Sequence, residues 1–167
     1  IVTVDSPFRV LDGGAVAVKD GVILGVGPSA EIVRKYPAAE TLDAGGAILM
    51  PGLINAHQHA AMTPLRGGAD DMELHRWLQE FIFPAEAKVV TPAFVRTGTQ
   101  LAALEMIRSG TTTFADMYYF EEEVARAASE AGLRGVLGET IVKFPVPGAK
   151  TPEEGLARTE KFLIQWK

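Results

Sequence analysis

The sequence predicts an α/β fold in two parts, a small β module over residues 1–50 and a parallel strand–helix alternation over residues 51–167. Three observations carry that prediction. Short β-rich runs separated by turn residues fill the first fifty positions and leave room for little helix. Pro51-Gly52 ends that pattern. Beyond it, short apolar or β-branched strands alternate with capped helices, the order that lays helices against a parallel sheet.

In the first part, Gly14–Lys19 and Val22–Val26 flank Asp20-Gly21, a dipeptide that tolerates positive φ and so closes a hairpin. Ser29 is the expected N-cap of a short helix over Ala30–Tyr36. Thr41–Asp43 and Ala47–Met50, on either side of Gly45-Gly46, read as a second strand pair.

In the second part, Leu53–Ala56 is a short apolar strand with no polar side chain but Asn55 beside it, which predicts burial on both faces. A long excursion from Ala60 to about Val90 holds one helical piece near Leu74–Phe81. Thr91-Pro92 is an N-cap followed by proline at the first helical position, opening a helix that runs to Ser109 and stops at Gly110. Phe94, Leu101, Leu104 and Ile107 mark its apolar positions at helical spacing. Thr111–Ala115 is β-branched and reads as a strand. Glu121–Ala131 is a helix whose leading glutamates suit the positive end of its dipole, and Gly132 closes it. Leu133–Ile141 is a strand weakened by two glycines, Lys143–Lys150 a loop, and Thr151-Pro152-Glu153-Glu154 a capping-box start to a last helix.

Composition removes several classes of function. The 16 Lys and Arg against 21 Asp and Glu give a net charge of −5, with no basic stripe to neutralise nucleic-acid or lipid phosphates. The absence of cysteine excludes a disulfide framework, a thiolate metal site and a cysteine nucleophile. No apolar run approaches the ~18 residues of a membrane span, and no basic-then-apolar leader opens the chain. A soluble cytoplasmic protein is the expectation. The chain begins at Ile1 inside an apolar run and ends at Lys167 inside a helical pattern, so both ends read as cut.

The strongest chemical signal is His57-Gln58-His59 at the end of the Leu53–Ala56 strand. Side chains two apart on a strand share a face, so both imidazoles can converge on one metal ion. Ligands of parallel α/β folds gather at the carboxyl ends of strands, where this pair falls. A bare His-x-His can equally be two histidines that only hydrogen-bond; the Pro-Gly break and apolar strand before it make this arrangement more specific.

Pro51-Gly52-Leu53-Ile54-Asn55-Ala56-His57-Gln58-His59 resembles the first-strand metal motif of the amidohydrolase superfamily. Ala60–Gly67, Trp77-Leu78, Phe83-Pro84-Ala85-Glu86, Glu105-Met106-Ile107, Gly110–Thr113 and Asp116-Met117-Tyr118 resemble its 5-methylthioadenosine/S-adenosylhomocysteine deaminase and chlorohydrolase branch. The similarity covers most of residues 47–140. It implies a (β/α)8 TIM barrel, with residues 1–50 forming part of a small β-sandwich built from both chain ends. It also implies one divalent metal, usually zinc, held by His57 and His59 together with two later histidines and an aspartate. Such a metal makes hydroxide from water at neutral pH, which would attack the amino-bearing carbon of a 6-aminopurine and expel ammonia.

By the same resemblance Trp77 lies beside the base and ribose, and Glu86 binds the ribose hydroxyls. Read on their own, Trp77 is an aromatic packed within a helical segment and Glu86 a solvated residue of a loop-like stretch. His75 has no spaced partner and reads as a surface helix position. Asp116 ends its strand, where it either faces the site or caps the next helix. Met62, Met72, Met106 and Met117 read as packing residues.

A catalytic zinc takes three protein ligands, and neither a third nor a general base is found in this sequence. Three strand–helix units stand against eight, and roughly 250 residues, in a closed barrel. The expectation is the N-terminal portion of a cyclic-amidine deaminase, inactive and weakly zinc-binding as residues 1–167 alone. Relatives in the branch carry arginine after the third strand region, suited to a homocysteine carboxylate, whereas Gly138–Lys143 offers only Lys143; this weakens S-adenosylhomocysteine more than the aminopurine. The expected partner is a small nucleoside-like molecule, with no nucleic acid or membrane, and a homo-oligomer stays open. Rival readings are a triazine chlorohydrolase or a guanine or pterin deaminase of the same branch, a metal-free scaffold of the same fold, and a free-standing binding module. Trp77 with Glu86 favours the nucleoside over a triazine, and the histidine pair disfavours the scaffold.

Overall fold

The computed structural model describes residues 1–166 and divides into two compact units, one ending at Pro51 and the other opening at Gly52. In the first, β1 (Gly14–Lys19) and β2 (Val22–Pro28) pair antiparallel. The turn between them places Asp20 at φ 51° and Gly21 at φ 76°, the two positive values that match a hairpin's twist. Helix α1 (Ser29–Lys35) follows, and the hydroxyl of Tyr36 donates to the Leu24 carbonyl at 2.9 Å. Its start differs from expectation: Pro28 occupies the N-cap and no side chain caps the helix, because β2 runs through to Pro28 and absorbs the approach to the helix. The expected strand pair around Gly45-Gly46 does not form. Leu49 contributes one backbone bond, from Val2 N–H at 2.9 Å, and Thr41–Asp43 has no ladder partner.

In the second unit, β3 (Leu53–Gln58), β4 (Thr111–Tyr118) and β5 (Arg134–Glu139) form a parallel sheet in that spatial order. Gln58 lies opposite Asp116 and Tyr118 opposite Glu139, so the three strands end together. The sheet is open, with β3 and β5 at its outer edges. This corrects the expectation of a first strand buried on both faces: Leu53 is 51% and Ile54 71% exposed, because the second strand is the central one and takes the core position.

Between β3 and β4 the chain makes a 3-10 segment (Ala60–Leu65), then an unbroken helical run of α2 (Leu74–Arg76), a π-helical stretch (Trp77–Ile82) and α3 (Phe83–Val89). Helix α4 (Pro92–Arg108) is capped by the Thr91 hydroxyl, which accepts from Phe94 N–H. Its buried face is not the one its large side chains marked. Val95, Gly98, Thr99, Ala102, Ala103 and Met106 are buried, whereas Leu101, Leu104 and Ile107 are exposed. Close approach selects the small residues: a Cβ on Gly98 would stand 2.3 Å from the Ala61 carbonyl oxygen.

Helix α5 (Glu121–Ala131) ends at Gly132, whose φ of 73° lets the N–H groups of Gly132 and Leu133 cap the last turn. Helix α6 (Pro152–Gln165) begins with Thr151 accepting from Glu154 N–H. The core is the layer between α4, α5 and the 3-10 segment on one side and Phe114 and Tyr118 of β4 on the other. No helix among the described residues is long and apolar enough to cross a membrane.

Candidate metal centre

The site begins at the carboxyl end of β3. His57 lies within the strand and His59 directly follows it. Two residues apart on extended backbone, they project to one side. Their rings meet edge to face with centroids 5.2 Å apart.

The aim of His59 comes from β4. Its Nδ1 lies 2.7 Å from the Met117 carbonyl oxygen. A carbonyl only accepts, so Nδ1 carries the hydrogen and Nε2 is the ring nitrogen left for a ligand. A second ring nitrogen engaged on a carbonyl is the arrangement that orients metal-ligating histidines. The next residue is held from the same strand, with Ala60 N–H donating to Asp116 Oδ1 at 2.6 Å. Behind His57, Asn55 Oδ1 accepts from the His57 N–H at 3.3 Å, and its Nδ2 donates to Gln58 Oε1 at 2.5 Å.

His57 and His59 line an open cavity of about 700 Å³ that extends along β3 from Ser109 and Thr111 to Met62, Arg66 and Trp77. Trp77 opens the π-helical stretch and is half-buried on the cavity wall. Arg66 and Glu105 close on each other with bonds of 3.2 and 2.7 Å at the rim.

Glu86 is elsewhere. The stretch that read as a loop is helix α3, and Glu86 is buried within it at 3% exposure. Its Oε1 accepts from the Tyr118 hydroxyl at 2.7 Å, and the Tyr118 ring centroid is 6.5 Å from that of His59. Burial pushes the Glu86 carboxyl up, opposed by the Tyr118 hydroxyl and by His59. Tyr118 itself is held firmly protonated, first by burial and then by Glu86. The structure thus brings His57, His59 and Trp77 to one cavity and sets Glu86 behind His59, through Tyr118. His75 is exposed, with its N–H bonded to the Glu73 carboxylate.

Asp116 neither caps α5 nor faces the cavity; it caps the 3-10 segment after His59. Its Oδ2 and both oxygens of the fully buried Glu121 meet no N–H or hydroxyl donor. They lie against each other, and burial followed by the Asp116 charge pushes the Glu121 carboxyl up to about 10. Burial raises the Asp116 carboxyl as well, so the two side chains together favour holding a proton between them. Sequence reading found the histidines but missed Tyr118, Glu121 and the Met117 carbonyl. The available signal was polar residues alternating with Phe114 toward one face of β4.

The pair fits a metal: two imidazoles on one side of a strand end, one with its Nδ1 held by a backbone carbonyl. Among the described residues no group of three His, Asp or Glu side chains is close enough to hold an ion, so the donor set here stops at two.

The chain belongs to the amidohydrolase family, whose profile matches residues 48–167. Residues 14–39 match an imidazolonepropionase-like composite domain of bacteria. The chain is 53% identical over 167 residues to a 5-methylthioadenosine/S-adenosylhomocysteine deaminase of Syntrophobacter fumaroxidans, covering 100% of this chain and 38% of that protein. It thus spans about two-fifths of the curated relative's length. Among solved structures, an adenosine deaminase from Xanthomonas campestris with bound zinc superposes with a TM-score of 0.93 at 42% identity, covering 99% of this chain and 38% of that one. A zinc complex of an atrazine chlorohydrolase from Arthrobacter aurescens superposes at 0.82 with 18% identity over 99% of this chain and 41% of that one, a likeness of fold alone.

Proposed function

We propose that this chain is the opening part of a metal-dependent aminohydrolase that deaminates a 6-aminopurine nucleoside, 5-methylthioadenosine or S-adenosylhomocysteine. On this reading Gly52–Lys167 supplies the first three strands of a (β/α)8 barrel and residues 1–50 part of a β-sandwich. The remaining metal ligands and the general base lie outside residues 1–167. One observation carries the reading: two imidazoles share a side at a strand end, over a cavity walled by Trp77, with His59 fixed as the Nδ1–H tautomer. The 53% identity to a deaminase supports the nucleoside over other substrates of the fold.

His57 and His59 would hold the metal, zinc in the Xanthomonas relative. A bound divalent ion lowers the pKa of water and so provides a nucleophile at neutral pH. The reaction consumes one water, exchanges the purine C6–N bond for C6–O and releases ammonia. Trp77 offers an aromatic face on the cavity wall for the base. A ribose-binding role for Glu86 rests on the resemblance to the deaminase branch, since its side chain is buried off this cavity's wall with Oε1 engaged by Tyr118.

The test is ammonia release from 5-methylthioadenosine by the full-length enzyme, with zinc content measured alongside. Wild type should retain zinc and turn over, and His57→Ala and His59→Ala should lose both. Glu86→Gln should raise KM by about tenfold with a smaller effect on kcat. Turnover of guanine or a triazine but not methylthioadenosine would move the protein to another branch. A zinc-free wild type would make it a scaffold.

A further inference from the structure

We propose that Asp116 is a positioning residue for His59, setting the turn that aims the ring by holding the Ala60 amide, and that Glu121 is the buried acid that holds Asp116. The proposal rests on the reading of His59 as a metal ligand.

Three contacts carry it. The first residue of the 3-10 segment has an amide that its own turn leaves without an acceptor, and the His59 side chain does not cap it. Asp116 Oδ1 takes that amide at 2.6 Å, from the strand register directly opposite Gln58. The neighbouring Met117 carbonyl takes His59 Nδ1 at 2.7 Å. Two consecutive residues of β4 therefore grip both the backbone after His59 and its ring. Neither grip alone fixes the ring, since the carbonyl needs the backbone turn and the turn needs the carboxylate.

Behind Asp116 the support is continuous. Glu121 is fully buried against Asp116, and burial together with the Asp116 carboxylate favours its protonated form, which can donate to Asp116. Glu121 is itself set by the end of β5, where Glu139 accepts from the N–H groups of Phe120 and Glu121 at 3.2 and 3.0 Å. Phe120 turns there with φ at 57°, a left-handed conformation that a bulky residue adopts only when its surroundings impose it. Arg158 of α6 closes the series with Nε 3.6 Å from Glu139. Buried carboxyls of this kind are poor stabilisers compared with apolar side chains of the same volume. A series of them ending on one histidine is a device for orientation.

The experiment measures the zinc dissociation constant of the full-length enzyme by chelator competition, kcat and KM for 5-methylthioadenosine, and apo-protein Tm. It compares wild type with Asp116→Ala and Asp116→Asn. Asp116→Ala should weaken zinc binding and lower kcat by about 10- to 100-fold, with KM within about threefold. Asp116→Asn keeps an oxygen for Ala60 N–H and should recover most of both. Wild-type zinc affinity in a folded Asp116→Ala protein would overturn the positioning role, whatever its Tm. If that variant does not fold, Asp116→Asn decides alone: a loss of zinc affinity of 10-fold or more in a folded Asn protein would show that charge, not acceptance from Ala60, matters. A wild type that binds no zinc would overturn the reading of His59 itself and the proposal with it, an outcome distinct from either.

Discussion

His59 and Met117, 58 residues apart in the chain, are joined by a 2.7 Å hydrogen bond from ring Nδ1 to backbone carbonyl. The bond sets the imidazole's tautomer without any charged partner. Nitrogen-15 NMR of the histidines should find His59 with its proton on Nδ1, and stripping zinc with a chelator should leave that proton there. An apo-protein with His59 protonated on Nε2 alone would contradict the geometry.

Tyr118→Phe removes the one hydroxyl that, among the described residues, donates to Glu86 Oε1. The carboxyl stays buried with one acceptor unmatched, which costs about 1–3 kcal/mol of stability. The lost donor was holding the Glu86 pKa down against burial, so that pKa should rise further. Denaturant titration reads the first effect. The second should appear as a KM for the nucleoside that increases at a lower pH limb shifted upward.

Gly98→Ala tests the packing under the site. The added Cβ would stand 2.3 Å from the Ala61 carbonyl oxygen and 3.0 Å from its carbon. Overpacking of about 1–3 kcal/mol should exceed the ~1 kcal/mol that alanine gains over glycine in a helix. A Tm at or above wild type would mean that α4 and the 3-10 segment are not locked together.

Glu121→Gln should flatten the pH dependence of stability. The folded carboxyl is pushed up to about 10, above its ordinary value of 4.5. Between those values the folded state holds a proton that the unfolded state has lost, so stability is full below the lower value and falls as pH rises. The slope is at most about 1.4 kcal/mol per pH unit. Urea midpoints from pH 5 to 9 should fall for wild type more steeply than for the glutamine variant. Parallel curves would remove Glu121 as a buried neutral acid.

Local chemistry made much of this fold legible. The Asp20-Gly21 turn, the Thr91-Pro92 and Thr151-Pro152 starts and the Gly132 stop act within a few residues, and each stands where the sequence puts it. Errors arose where distant packing decides. Of the apolar positions marked on α4, Phe94 packs on the core while Leu101, Leu104 and Ile107 are exposed, because Gly98 and the alanines allow the closer approach. Thr41–Asp43 has β character but no neighbouring strand to pair with. At the site, the histidine spacing could be read directly, whereas Tyr118–Glu86 and Asp116–Ala60 join residues 32 and 56 positions apart. No local pattern encodes such pairs.

The grip of β4 on β3 also has a kinetic side. During synthesis His57 and His59 leave the ribosome well before Asp116 and Met117, the latter 58 positions after His59. At ~5–20 residues per second that interval is roughly 3–12 seconds. Throughout it the imidazoles sit on a segment that β4 does not yet hold, so the orientation of His59 is settled only when the second parallel strand docks.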